Sequence, residues 1–97
     1  MDYKVYEAVF KALADEARLK ILNMISSGEL CGCEILDSFQ FSQATLSYHM
    51  KLMTESGLVS CRRDGKKMLY SIAPEWECFV RCIKNDTLRT ETASMKE

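Results

Sequence analysis

Ser42-Gln-Ala-Thr-Leu-Ser-Tyr-His-Met-Lys-Leu-Met-Thr-Glu-Ser-Gly57 has the grammar of one complete helix. Ser42 supplies a capping hydroxyl, Leu46, Met50 and Met53 recur on one side as a buried stripe, and Gly57 ends the segment. A helix buried along that stripe turns Gln43, Thr45, Ser47, Tyr48 and Lys51 toward solvent or toward a groove. These side chains suit base and phosphate contacts. Glutamine bonds adenine with two hydrogen bonds, Ser and Thr serve either class of acceptor, and lysine reaches guanine or phosphate. An ordinary polar helix face has the same composition, so the flanking segments carry the decision. His49, beside the apolar stripe, reads as a packed or hydrogen-bonded side chain rather than a base or phosphate contact.

Upstream, a short third helix is expected from about Cys31 to Phe39, joined to the first stretch by the tight turn Gln40-Phe41-Ser42, which is helix-turn-helix spacing. Further back, Tyr6, Val9, Phe10 and Leu13 mark a first helix. Asp15 caps a second with Leu19, Leu22 and Ile25 on one side, and Gly28 ends it. Downstream, Leu58 to Arg62 and Lys67 to Ile72 flank the polar tip Arg63-Asp64-Gly65-Lys66, a β-hairpin with its turn chemistry at Asp64-Gly65. Pro74 opens a last helix with Trp76, Phe79, Val80 and Ile83 on its apolar face. The expected order is αααα-ββ-α, mainly α with a β-hairpin wing: a winged helix-turn-helix over residues 1–86, with a frayed polar tail over 87–97.

At 97 residues the chain has room for one core and not two. Its net charge of −1 does not announce a nucleic-acid binder, but the distribution does. Residues 42 to 71 carry five basic and two acidic side chains, so the charge there is +3 while the remainder is −4. Arg62, Arg63, Lys66 and Lys67 crowd one projecting tip, where folding has little use for them and a phosphate backbone or minor groove has much. Nothing near Met1 reads as a signal peptide and no apolar run nears the roughly 18 residues of a span, so a cytoplasmic protein without a membrane partner is expected. In that compartment five cysteines, an odd number, argue against a disulfide framework and for metal binding, thiol chemistry or burial.

Cys31 and Cys33 stand at the start of the expected third helix, where free N–H groups and the helix dipole favour thiolate, the donor soft ions prefer. Residues two apart on a helix point about 200° apart, so one ion is expected to bind both only by distorting that first turn, with Gly32 easing the change. Cys78 and Cys82, four apart, share one side of the last helix, where they either chelate or pack in the core or at an interface; Cys61 reads as structural.

Leu13 to Leu22, Glu29-Leu-Cys-Gly-Cys-Glu34, Ser42 to Lys51 and Gly57-Leu-Val59 together resemble the ArsR/SmtB family of metal-sensing repressors, over roughly residues 5 to 83. The resemblance implies a homodimer joined through first and last helices, bound to double-stranded operator DNA and released by an ion. It puts Gln43, Thr45, Ser47, Tyr48 and Lys51 on the recognition helix and makes Cys31 and Cys33 the metal ligands. Arsenic-responsive members of the best-known subtype carry a third cysteine three residues beyond the second, where this chain has Leu36. Cadmium/lead members draw cysteines from an N-terminal extension, and none precedes Cys31 here. Arsenite or antimonite is therefore the expected inducer, held by two thiolates and a third donor. The alternatives are a redox-switched repressor of the same fold and one responsive to cadmium, lead or zinc. Thiol-disulfide exchange catalysis is disfavoured by the lack of a βαβ pattern and by a single histidine, so no enzyme is expected.

Overall fold

The computed structural model describes residues 1–84; the tail expected over 87–97 lies outside the described residues. Three caps set the frame. The Asp2 carboxylate accepts from the Lys4 and Val5 N–H groups at 3.1 and 3.4 Å and opens α1 (Tyr3–Leu13). Asp15 accepts from Arg18 N–H at 3.1 Å and opens α2 (Glu16–Ile25), and Ser42 accepts from Thr45 N–H at 3.2 Å and opens α4 (Gln43–Glu55). Between them lie β1 (Leu30–Cys31) and the short α3 (Gly32–Leu36). Then come β2 (Val59–Asp64), β3 (Lys67–Ile72), a 3₁₀ turn at Pro74–Trp76 and α5, helical over 77–84.

The expected hairpin is present, and the structure adds a strand to it. The sheet runs β1-β3-β2, antiparallel throughout, with Leu30 opposite Tyr70, Cys31 opposite Leu69 and Asp64 opposite Lys67. A two-residue strand is too short to show alternation, which is why Cys31 read as helical. The third helix is accordingly shorter than expected: it starts at Gly32 and ends at Leu36, after which Ser38 and Phe39 donate back to the Ile35 and Leu36 carbonyls in single turns. The hairpin loop is Gly65-Lys66, one residue later than expected, with Gly65 at φ +64°, where glycine avoids a steric cost.

Val9, Ile21, Ile25, Ile35, Met53 and Leu58 are each essentially removed from water and bring α1 to α4 and the start of the hairpin to one core. Each such burial contributes about 1.5–3 kcal/mol against exposure. On α2 the buried stripe passes through Arg18, Ile21, Leu22 and Ile25, whereas Leu19, expected inside, is 45% exposed. Arg18 itself is buried. Its Nε donates to the Ala12 carbonyl at 2.6 Å and its Nη1 meets His49 Nδ1 at 3.0 Å, which makes that ring nitrogen the acceptor and places the ring proton on Nε2. His49 is thus the packed, hydrogen-bonded histidine that was expected, and it fastens α4 to the α1–α2 corner. At the opposite edge Tyr6 stacks edge-on to Trp76 at 5.3 Å and Phe10 meets Phe79 at 6.1 Å, joining α1 to the C-terminal segment.

Candidate nucleic-acid interface and its thiol cleft

On α4, burial of Leu46, His49, Met50 and Met53 leaves Gln43, Ser47, Tyr48 and Lys51 exposed, as the stripe predicted. Thr45 differs: it is half-buried, and its hydroxyl lies 3.2 Å from the Ser42 hydroxyl, within the helix cap. Ala44, which the side-chain inventory passed over, stands exposed on the same face. Its position gives the signal, since alanine's composition carries none; a methyl at such a place suits a thymine methyl.

The wing presents Arg63, Lys66 and Lys67 to solvent. Arg62 is engaged elsewhere: its Nε and Nη2 donate to the two carboxylate oxygens of Glu29, each at 2.8 Å. That hydrogen-bonded guanidinium holds the Glu29 carboxyl below its ordinary value, and Glu29 raises Arg62 in turn. The tip therefore carries three outward cations and one that braces it to the segment preceding β1.

Cys31 is buried and is the N-cap of α3; its Sγ accepts from Glu34 N–H at 3.4 Å while Glu34 Oε1 accepts from Cys31 N–H at 3.0 Å, a capping box with sulfur in the serine position. Cys33, one residue into α3, is exposed. Because Cys31 has extended backbone (φ −83°, ψ 159°), the two residues are not both helical, their Cα atoms lie 5.4 Å apart, and their sulfurs are joined as a disulfide. The distortion expected from a regular first turn is not required: β1 ends where α3 begins, and the side chains converge there. Cys61, read as structural, is exposed on β2 opposite Tyr70. Cys78 and Cys82 are exposed on α5, which removes core packing as their role.

Cys31 and Cys33 line a cleft of about 370 Å³ with Gln43 and Ser47 of α4 and Lys66 and Lys67 of the wing. Thr45, Tyr48, Lys51, Arg62 and Arg63 are not on its wall. Tyr70 closes the inner side, 3.6 Å from where a Cβ on Gly32 would stand, and its burial pushes the phenol above its ordinary value. Leu36, which occupies the place of the third cysteine, lines the same cleft.

The sequence profile of the bacterial regulatory protein, arsR family, matches residues 15–60. An arsenical resistance operon repressor of Staphylococcus xylosus is 46% identical over 80 residues, covering 82% of this chain and 77% of that protein. A cadmium resistance transcriptional regulatory protein CadC homolog of Staphylococcus aureus is 41% identical over 68 residues, 69% of this chain and 56% of that protein. Among solved structures, the homodimeric winged helix-turn-helix DNA-binding domain of a possible ArsR-family regulator from Mycobacterium bovis superposes with TM-score 0.75 at 28% identity, covering 91% of this chain and 85% of that one. Among the described residues no helix is long and apolar enough to cross a membrane.

Proposed function

Since this chain belongs to the arsR family of bacterial regulatory proteins and is a transcriptional repressor of that type, we propose that it holds double-stranded operator DNA as a homodimer and releases it when arsenite or antimonite is taken by Cys31 and Cys33. In this reading α4 enters the major groove through Gln43, Thr45, Ser47, Tyr48 and Lys51, while Arg62, Arg63, Lys66 and Lys67 bring the wing to the phosphate backbone. The observation that carries it is the shared cleft, in which the two thiol positions face the first turns of α4 on one side and the wing lysines on the other. A ligand there meets both DNA-contacting elements. It also pulls on β1, which is paired to β3 of the wing through Leu30 and Cys31 and braced by Glu29 on Arg62. Ion and operator then oppose one another with a coupling free energy typically of about 1–3 kcal/mol, and the antagonism is reciprocal.

The test is operator release by the reduced protein under a panel of arsenite, antimonite, cadmium, lead and zinc. Cys31→Ser and Cys33→Ser are expected to bind DNA normally and to lose arsenite-driven release, whereas Cys61→Ser behaves as the parent does. If both serine variants release at the parent's arsenite concentration, sensing moves to Cys78 and Cys82. A second reading is favoured by one observation, the joined sulfurs of Cys31 and Cys33: a dithiol–disulfide switch that changes DNA affinity without any ion. Release by peroxide in ion-free buffer, reversed by a thiol reductant, is its signature.

A further inference from the structure

We infer a second binding site, on the other flank of α5 from the aromatic cluster, for a small organic monoanion with an apolar body. It is a cleft of about 580 Å³ between the C-terminal end of α2, the end of β3 and α5. That volume falls within the roughly 300–1,000 Å³ of small-molecule sites. The cleft shares no lining residue with the thiol cleft. Arg81, on its wall, stands two residues beyond Phe79 and so about 200° round the helix from the ring that meets Phe10. Packing of α1 on Phe79 therefore leaves this side of α5 open.

Burial divides the lining into a floor and a rim. Ile25, Ile72 and Val80 are buried and form an aliphatic floor. Above it stand Ser26 and Ser27 at the end of α2 and Ser71 on β3. The Ser26 hydroxyl donates to the Asn23 carbonyl at 2.6 Å, whereas those of Ser27 and Ser71 make no hydrogen bond among the described residues. From α5 come Glu77, Arg81 and Lys84, and none of the three is in an ion pair among the described residues. Charge then selects the ligand. Glu29 also lines the cleft, but Arg62 holds both of its carboxylate oxygens and that pair is neutral. Glu77 offsets one of the two remaining cations, which leaves one positive charge over. The carbonyl end of α2 lies on the opposite wall, and its partial negative charge directs an anionic head to Arg81 and Lys84. From there a short apolar body reaches the floor and leaves water on Ile25, Ile72 and Val80. An uncharged ligand forgoes the pairing with the two cations, and a cationic one meets them as like charges.

The experiment titrates the reduced, full chain with sodium octanoate at millimolar concentration, with acetate and octylammonium as references, and follows backbone amide shifts by NMR. Octanoate is expected to shift the amides of Ser27, Glu29, Ser71 and Arg81. It should bind about tenfold or more tightly than acetate, which lacks the apolar body, and than octylammonium, which reverses the charge. Arg81→Gln and Lys84→Gln, both on the rim, should each weaken octanoate by about three- to fivefold, the range of partly exposed ion pairs. Lys20→Gln, on the exposed side of α2 and outside the cleft, should leave octanoate binding unchanged. Equal affinity for octanoate and either reference overturns the proposal. So does octanoate binding that both α5 substitutions leave intact, or that shifts the amides of Tyr3 to Phe10 instead, and so does the absence of any shift.

Discussion

Arg62 reaches from the wing to Glu29 with two hydrogen bonds of 2.8 Å, and Glu29 stands two residues before Cys31. The four basic residues of the tip are therefore not equivalent. Replacing Lys66 or Lys67 with Gln is expected to weaken binding to all duplexes alike and to reduce the salt slope of DNA affinity by about one each. Arg62→Gln is expected to weaken binding through loss of wing position, with a smaller change in slope. Anisotropy titrations across a potassium chloride series separate the cases. An equal slope change for Arg62→Gln means that this guanidinium leaves Glu29 for a phosphate on binding.

The same pair gives a pH dependence whose sign is fixed. Glu29 and Asp15 have carboxyls held below their ordinary values of 4.5 and 3.8, the first by the Arg62 hydrogen bond and the second by the Arg18 backbone N–H. A depressed carboxylate adds stability that is fully present above its unfolded-state value and fades as pH falls through the folded one. Stability should thus drop below about pH 4.5, and Glu29→Gln and Asp15→Asn should each make that drop shallower. Urea unfolding at a series of acidic pH values checks it; parallel curves for parent and variants count against it.

Arg18 is the charged group whose loss should cost most stability. Removing its side chain strands the Ala12 carbonyl and the His49 Nδ1 in a buried setting, and about 2–4 kcal/mol is expected for Arg18→Ala. His49→Gln, which keeps an acceptor within reach, should cost less. A lower urea midpoint at unchanged m-value is the readout, and a shift under about 0.5 kcal/mol would mean that water replaces the guanidinium.

Features set by neighbours in sequence were legible before the structure. Ser42 and Asp15 cap where their side chains said they would, the Leu46, Met50 and Met53 stripe is buried, and the hairpin follows from alternation around a glycine turn. Features set by partners far along the chain were not. Leu30 and Cys31 become a strand only because Tyr70 and Leu69 come alongside, and that strand brings Cys31 out of the helix and toward Cys33. The bond from Arg62 to Glu29 was not legible, because nothing local marks Glu29 as its acceptor. Leu19 misled for a related reason: the buried stripe of α2 accommodates an arginine, since Ala12 and His49 satisfy it.

Dimerisation gives the last prediction. Tyr3, Val5 and Phe10 on α1 are 79, 43 and 51% exposed, and Phe10 lies 6.1 Å from Phe79, so α1 and α5 together present an aromatic surface that this fold alone does not cover. In the homodimer we propose, that surface is the seam between protomers. Because Phe10 is half exposed within one chain, Phe10→Glu should disturb a single protomer little while placing two carboxylates in an apolar interface, where their desolvation opposes association. Sedimentation at micromolar concentration should then show a monomer with a parent-like circular dichroism spectrum. Operator affinity should fall by roughly two or more orders of magnitude, because two half-sites no longer bind as one unit. Affinity for an isolated half-site should hold, since Gln43 to Lys51 and the wing are untouched. If Phe10→Glu sediments as a dimer, the seam lies on another face of the molecule.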